Sequence, residues 1–135
     1  ATGTALGVYL SILRTEKTWQ RFRRLVLVHN VRTCDQLSYT EEIAALQATH
    51  GEHFHYLPIT SREESDGTLH GRILANLEDG RLEKQAGFKL AADNSHVMLC
   101  GNMGMIREVS EALESRGMRK HRKKEPGHFT TEKYH

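Results

Sequence analysis

A doubly wound parallel α/β sheet of about five strands, with helices on both faces, is the fold this sequence predicts. Short, nearly continuous apolar runs alternate with stretches whose apolar residues recur every three or four positions, and glycines punctuate the ends of both. At 135 residues the chain has room for one domain, 1–135, with a real core, although its hydrophobic fraction is a modest 38%.

Taken in order, Thr2-Gly3-Thr4-Ala5-Leu6-Gly7 is a glycine-rich turn opening a helix, because Leu6, Tyr9, Leu10 and Leu13 fall on one helical face. The strand that should feed such a turn is not in the sequence, so the chain reads as a fragment. Residues 24–29, Arg-Leu-Val-Leu-Val-His, have the length and apolarity of a strand covered on both faces. A sparse helical pattern with Ile43 and Leu46 runs from about residue 38 to His50, and Gly51 stops it. A second strand spans residues 54–60, with Phe54, Tyr56 and Pro58 on one face. After a polar loop, a short helix begins at Arg72 and closes at Asp79-Gly80. Residues 96–100 form the next strand, and an amphipathic helix follows from about Met103 to Ser115, with Met105, Ile106, Val109 and Leu113 inward and Gly117 as its stop. The tail after Pro126 supplies a last short strand ending at Lys133-Tyr134-His135.

Composition narrows the setting. Nineteen Lys and Arg stand against 17 Asp and Glu, a net charge of +2 that says little about partners. Cys34 and Cys100 make no CxxC and no disulfide framework, which suits a reducing compartment, the cytoplasm by default. No run of about 18 apolar residues and no signal-peptide pattern is present, so no membrane span is expected.

The most informative run is Ser95-His96-Val97-Met98-Leu99-Cys100-Gly101-Asn102. A short apolar strand delivers a cysteine to a Gly-Asn turn where a helix begins, facing the crevice at the carboxyl end of a sheet. On its own Cys100 is equally a core thiol, and Cys34 reads as packing. Glycines 3 and 7 miss both the GxGxxG and the P-loop patterns, and such a start is a plain turn as readily as a phosphate site built on a helix N-terminus. Ser61-Arg62-Glu63 directly follows a predicted strand and Arg32 an earlier one, and with Arg72 ten residues on they could converge at strand ends on one side of the sheet. Arginine's fork suits a phosphate dianion, whereas a ribose diol would be read by a carboxylate; three solvated arginines are the plain alternative. His50, His53 and His55 lie close together, but no third and fourth ligand follows at zinc spacing, so no metal is expected. Arg116, Arg119, Lys120, Arg122, Lys123 and Lys124 form a dense basic segment without interleaved aromatics, which argues against nucleic acid and leaves a solvated charged edge as the plain reading.

In this order, the glycine loop, Val28-His29-Asn30-Val31-Arg32, Ser61-Arg62-Glu63, Gly71-Arg72-Ile73, residues 96–102 and residues 125–134 (Glu-Pro-Gly-His-Phe-Thr-Thr-Glu-Lys-Tyr) together resemble the NADP-binding domain of bacterial ferredoxin (flavodoxin)-NADP reductases. The resemblance covers essentially the whole chain. It implies hydride transfer between NADPH and FAD, with electrons exchanged with ferredoxin or flavodoxin, and a strand order 3-2-1-4-5. The missing first strand would then lie between the strands at residues 25–28 and 96–100, leaving a gap. FAD in this family sits mainly on a preceding antiparallel barrel, so this chain by itself should lack it. A related implied role is the reductase component of an oxygenase; from another class, the alternative is a non-catalytic nucleotide-binding or basic interaction module.

The same resemblance implies Cys100 and Glu132 as catalytic residues, Cys100 aligning the nicotinamide and Glu132 near the flavin edge. It implies a cofactor-binding set of Gly3, Thr4, Ala5, Gly7, Arg32, Ser61, Arg62, Arg72, Gly101, Asn102, Met105, Tyr134 and His135, with the three arginines on the 2′-phosphate. Residues 116–124 become a docking ridge for the acidic carrier, and a monomer is expected. Val8, Leu74 and Met103 stand where the family has proline, and His135 where it commonly ends in tryptophan.

Overall fold

The structure is a computed structural model that describes residues 1–133. Gly3–Ala5 makes a tight 3-10 turn running directly into α1 (Leu6–Leu13), followed by α2 (Glu16–Arg21), β1 (Leu25–Val31), α3 (Thr40–His50) and β2 (Phe54–Thr60). Then come the two-residue strand β3 (Leu69–His70), α4 (Ile73–Glu78), α5 (Arg81–Ala86), β4 (Val97–Gly101), α6 (Met103–Ser115) and β5 (Phe129–Lys133).

All strand pairs are parallel, but they fall into two sheets, β1-β2-β3 and β4-β5. Leu25 faces Phe54 in register through to Val31 and Thr60, and Cys100 lies opposite Glu132. At the expected gap, β1 and β4 are not paired with each other among the described residues. The extended residues Ala1 and Thr2 lie between them instead. Asn30 N–H donates to Ala1 O at 2.9 Å, and Thr2 N–H donates to Cys100 O at 3.3 Å, so these residues hold the ends of both sheets together.

Both faces are covered, as the apolar strands require. Along β1 the side chains alternate, Leu25 and Leu27 packing with Leu6, Leu10, Leu13, Ile43 and Phe54 on one face, Val26 and Val28 against the larger cluster on the other. That larger cluster joins Leu57, Ile59, Leu77, Leu99, Val109, Leu113 and Phe129. Full burial of each such side chain contributes about 1.5–3 kcal/mol. The stripe of α6 buries Met105, Val109 and Leu113, while Ile106 is only half-buried.

Two helices were not legible in the sequence. The helix α2 has six residues and none is buried, and α5 turns inward only Leu82 and Ala86, so neither carries a periodic stripe. Cys34, read as packing, is half-buried in a short turn beyond β1 rather than in the core. A last strand is present at Phe129–Lys133, while Tyr134 and His135, expected at its end, lie outside the described residues.

Candidate functional site

The carboxyl edge of the sheet is assembled by backbone geometry. Beyond β1 and β2 the two chains stay in step: Ser61 N–H donates to Val31 O at 3.0 Å and Arg62 N–H to Arg32 O at 2.9 Å. The Glu63 carboxylate accepts from Cys34 N–H, and Gln36 Oε1 accepts from Arg32 N–H at 3.0 Å, so Arg32 and Arg62 are fixed side by side at their Cα atoms. Gly71 N–H donates to Thr60 O at 2.9 Å and brings Arg72 to the same edge. All three arginines are exposed, and Arg72 lies 3.7 Å from the Glu108 carboxylate.

A half-buried and a buried asparagine hold these turns. Asn30 Nδ2 donates to Ile59 O at 3.1 Å and Gly71 O at 3.3 Å, tying β1 to the turn before Arg72. Asn76, fully buried, donates to His70 O and Arg72 O, both at 2.9 Å. The Arg72 carbonyl also accepts from Asn76 N–H at 3.2 Å, so it is held twice. Neither residue had been assigned a role from sequence, where an asparagine in a matched run gives no sign of what it braces.

The glycine loop and the cysteine turn meet through Thr2. Its hydroxyl accepts from Asn102 N–H at 2.9 Å, while Asn102 Oδ1 accepts from Met105 N–H at 2.8 Å and caps α6. Helix α6 thus begins at Met103 without the family's proline. Gly101 has φ +144°, and a Cβ there would collide with Thr2 Oγ1 and come within 3.0 Å of Thr2 N. Only glycine permits this approach. Gly3, with φ +53°, is exposed and has nothing within 4 Å of where a Cβ would stand, leaving the outer side of the loop open for a ligand.

Cys100 is buried against Ala1 and Ala5, with Val8 and Tyr9 packed beside them. It also lines a cavity of about 110 Å³ between α1 and the β4-β5 sheet, whose walls include Val8, Tyr9, Ile12, Met98 and Glu132. Burial, and after it the Glu132 carboxylate, pushes the thiol pKa up. A neutral, polarizable thiol is therefore the species present, suited to contact rather than to nucleophilic attack. Tyr9 Oη donates to Met98 O at 2.7 Å, and burial raises its phenol pKa as well.

The candidate residues thus divide by place. Gly3, Arg32, Ser61, Arg62, Arg72, Gly101 and Asn102 lie together along the carboxyl edge, with Cys100 and Glu132 beside the cavity. Gly7 stands on α1 beneath the Tyr39 hydroxyl, 3.7 Å from where its Cβ would be, and Thr4 sits in the turn before it. The side chains of Ala5 and Met105 point into the core, 1% and 4% exposed, so whatever they contribute comes through their backbone. Tyr134 and His135 lie outside the described residues. Sequence reading missed Tyr39, which is half exposed and the single non-glycine described residue with positive φ, at +57°. Such conformations cluster at functional sites.

The basic segment lies elsewhere. Arg116 pairs with Glu83 at 2.8 Å and donates to Leu77 O at 3.0 Å. Residues 119–128 form a tight excursion entering β5 at its amino end, with Arg122 and Glu125 exchanging backbone hydrogen bonds at 2.9 and 3.1 Å. Arg119, Lys120, Arg122, Lys123 and Lys124 are exposed there, a strand's length from Cys100. Of the grouped histidines, His50 stacks on Trp19 with ring centroids 3.5 Å apart, and His53 Nδ1 bonds Arg23 O at 2.9 Å. Among the described residues no group of three or more His, Cys, Asp or Glu is arranged to hold a metal ion, and no helix is long and apolar enough to cross a membrane.

Comparison with known proteins completes the picture. Residues 1–111 match the family model described as the oxidoreductase NAD-binding domain. The chain is 44% identical over 135 residues to the flavodoxin/ferredoxin-NADP reductase of Escherichia coli strain K12, covering 99% of this chain and 54% of the relative. It is 37% identical to the protein of the same name from Buchnera aphidicola subsp. Baizongia pistaciae, with 99% and 54% covered. It also superposes with a TM-score of 0.91 on a ferredoxin NADP+ reductase from Neisseria gonorrhoeae solved with bound FAD and NADP, at 30% identity, covering 98% of this chain and 53% of that one. The chain spans about half the length of the curated relatives it matches.

Proposed function

The chain belongs to the oxidoreductase NAD-binding domain family, and from that premise we propose that it is a single domain forming the NADP(H)-binding half of a flavin-dependent reductase that exchanges electrons with ferredoxin or flavodoxin in the cytoplasm. One observation carries the reading. Three exposed arginines on adjacent strand ends share the carboxyl edge with an open glycine turn and a cysteine turn, which supports a phosphate-reading surface, a pyrophosphate loop and an apolar ring contact along one edge.

Along that edge Arg62, with Arg32 and Arg72, receives the 2′-phosphate by charge-assisted hydrogen bonds. The Gly3 turn and the start of α1 present backbone N–H groups to the pyrophosphate, where the helix dipole favours negative charge. The neutral Cys100 thiol, with Val8 and Tyr9, keeps water from the nicotinamide end and orients the ring. Glu132, opposite Cys100 in the sheet, holds a carboxylate at the rim where a proton can be exchanged. When bound, the nicotinamide and a flavin supply the hydride chemistry between them. The exposed basic excursion at the amino edge supplies an attractive field for an acidic carrier rather than a contact at the reacting end.

The test is calorimetric titration of the chain with NADP+ and NAD+. NADP+ should bind far more tightly, and Arg62→Ala should weaken it roughly ten- to a hundredfold, the worth of a charge-assisted hydrogen bond of about 1.5–3 kcal/mol, with NAD+ hardly changed. Equal affinities for the two, or equal losses in the variant, would overturn the assignment of the arginines.

A further inference from the structure

His29 in β1 is fully buried, yet none of the chemistry above uses it. Its Nε2 lies 2.7 Å from Gly3 O. A carbonyl oxygen can only accept, so Nε2 carries the hydrogen and donates it. Burial holds the imidazole pKa below the ordinary histidine range, which leaves the ring neutral and its Nδ1 an acceptor. That Nδ1 is buried with no hydrogen-bond partner among the described residues. An unsatisfied buried acceptor is costly, so the ring is not placed here for packing alone. What it gains is a single directed bond, reaching from β1 to the exposed Gly3 of the turn that precedes α1.

We propose that His29 is the positioning residue of the glycine turn: its Nε2–H pins the Gly3 carbonyl inward, so that the Thr4 N–H of the same peptide faces outward toward a pyrophosphate. This rests on the NADP(H) reading above and deepens it. The geometry fits the task. Gly3 has positive φ, which glycine adopts without steric cost, and the adjoining Thr2 is held by hydrogen bonds at the sheet edge. His29 is the side chain that reaches the Gly3 carbonyl.

The geometry also separates this role from that of the arginines. Arg32, Arg62 and Arg72 sit beyond β1, β2 and β3, on the far side of Asn30 from the glycine turn, and none bonds to it. A ligand carrying only the 2′-phosphate end should be indifferent to His29, while one carrying the pyrophosphate should depend on it.

The experiment titrates NADP+ and adenosine 2′-phosphate into the chain and into three variants, with thermal unfolding recorded for each. His29→Leu keeps the volume and removes the donor. His29→Gln places an amide nitrogen near the position of Nε2, whereas His29→Asn is too short to do so. Leu and Asn should weaken NADP+ on the order of tenfold, the effect of losing one loop-holding hydrogen bond. Gln should restore most of that loss, and adenosine 2′-phosphate should bind all four proteins alike. Unchanged NADP+ binding in the Leu variant would overturn the proposal. So would parallel losses for both ligands that follow the fall in melting temperature, or a folded Gln variant that binds NADP+ no better than Leu. If the unaltered chain bound neither ligand, the functional reading itself would fall, an outcome distinct from these.

Discussion

Gly101→Ala tests the joint between the two halves of the site. At φ +144° an alanine is strained, and its Cβ would strike the Thr2 hydroxyl that accepts from Asn102 N–H at 2.9 Å. Backbone strain of this kind costs about 1–3 kcal/mol. Losing the Thr2 hydrogen bond adds about 0.5–1.5 kcal/mol, so about 1.5–4.5 kcal/mol in all is expected. For a chain of this size each kcal/mol lowers the melting temperature by about 3–5 °C, which makes the expected fall about 5–22 °C. Thermal unfolding followed by circular dichroism measures it. The second variant Thr2→Gly removes the struck atoms, so Gly101→Ala combined with Thr2→Gly should cost less than the two single changes added together. A fall below about 2 °C in Gly101→Ala, or strict additivity in the pair, would refute the close approach as the reason for glycine.

Other outcomes follow from the same geometry. Because burial and then Glu132 raise the Cys100 pKa, the neutral thiol's contribution to stability is intact below the unfolded cysteine value of about 8.5 and is lost as pH rises through the higher folded value. In a Cys34→Ser background, stability measured by urea between pH 8 and 10 should decline less steeply after Cys100→Ala. Iodoacetamide should alkylate Cys100 more slowly than a free thiol. Burial opposes ionisation of Glu83, but hydrogen bonds from Arg116 and from Leu90 N–H, 2.8 and 2.9 Å long, outweigh it and hold the carboxyl below its usual range. That stability is present above about pH 4.5 and lost as pH falls through the folded value, and Arg116→Met, which also frees Leu77 O, should cost about 1–3 kcal/mol at neutral pH and shrink the acid-side decline. Truncating Leu113, fully buried in the larger cluster, to alanine should cost about 2–5 kcal/mol in urea unfolding. Reversing Arg119 and Arg122 to Glu should slow association with an acidic carrier, more at low salt than at high salt, in stopped-flow measurements; an unchanged rate would remove the excursion from carrier recognition.

Much of the fold could be read because its signals are local. The run at residues 24–29 is apolar on both alternations, and β1 indeed has Leu27 in one cluster and Val26 and Val28 against the other. Asn102 announced the start of α6 through a cap that needs only three residues of context. Arg32 and Arg62 could be placed at strand ends because those ends were legible, whereas the two-residue β3 before Arg72 carries no strand signal of its own. What stayed hidden depends on residues far apart in sequence. Gly101 looks like any turn glycine until Thr2 lies against it, and His29 looks like one more apolar-strand residue until Gly3 is folded over it. Tyr39 gave no sign of its left-handed backbone, since nothing in Ser38-Tyr39-Thr40 calls for it.

The sheet in two parts has a consequence for what binding does to the chain. Arg62 belongs to the β1-β2-β3 unit and Cys100 to the β4-β5 unit, and the backbone hydrogen bonds between the two run through Ala1 and Thr2. A molecule stretched from one to the other is a cross-brace over a seam. Its grip on either end resists the parting of the two units, so occupancy should be felt as stiffness: slower amide exchange along the facing edges of β1 and β4, and a single sharper melt whose midpoint climbs with ligand concentration as RT ln(1 + [L]/Kd) requires.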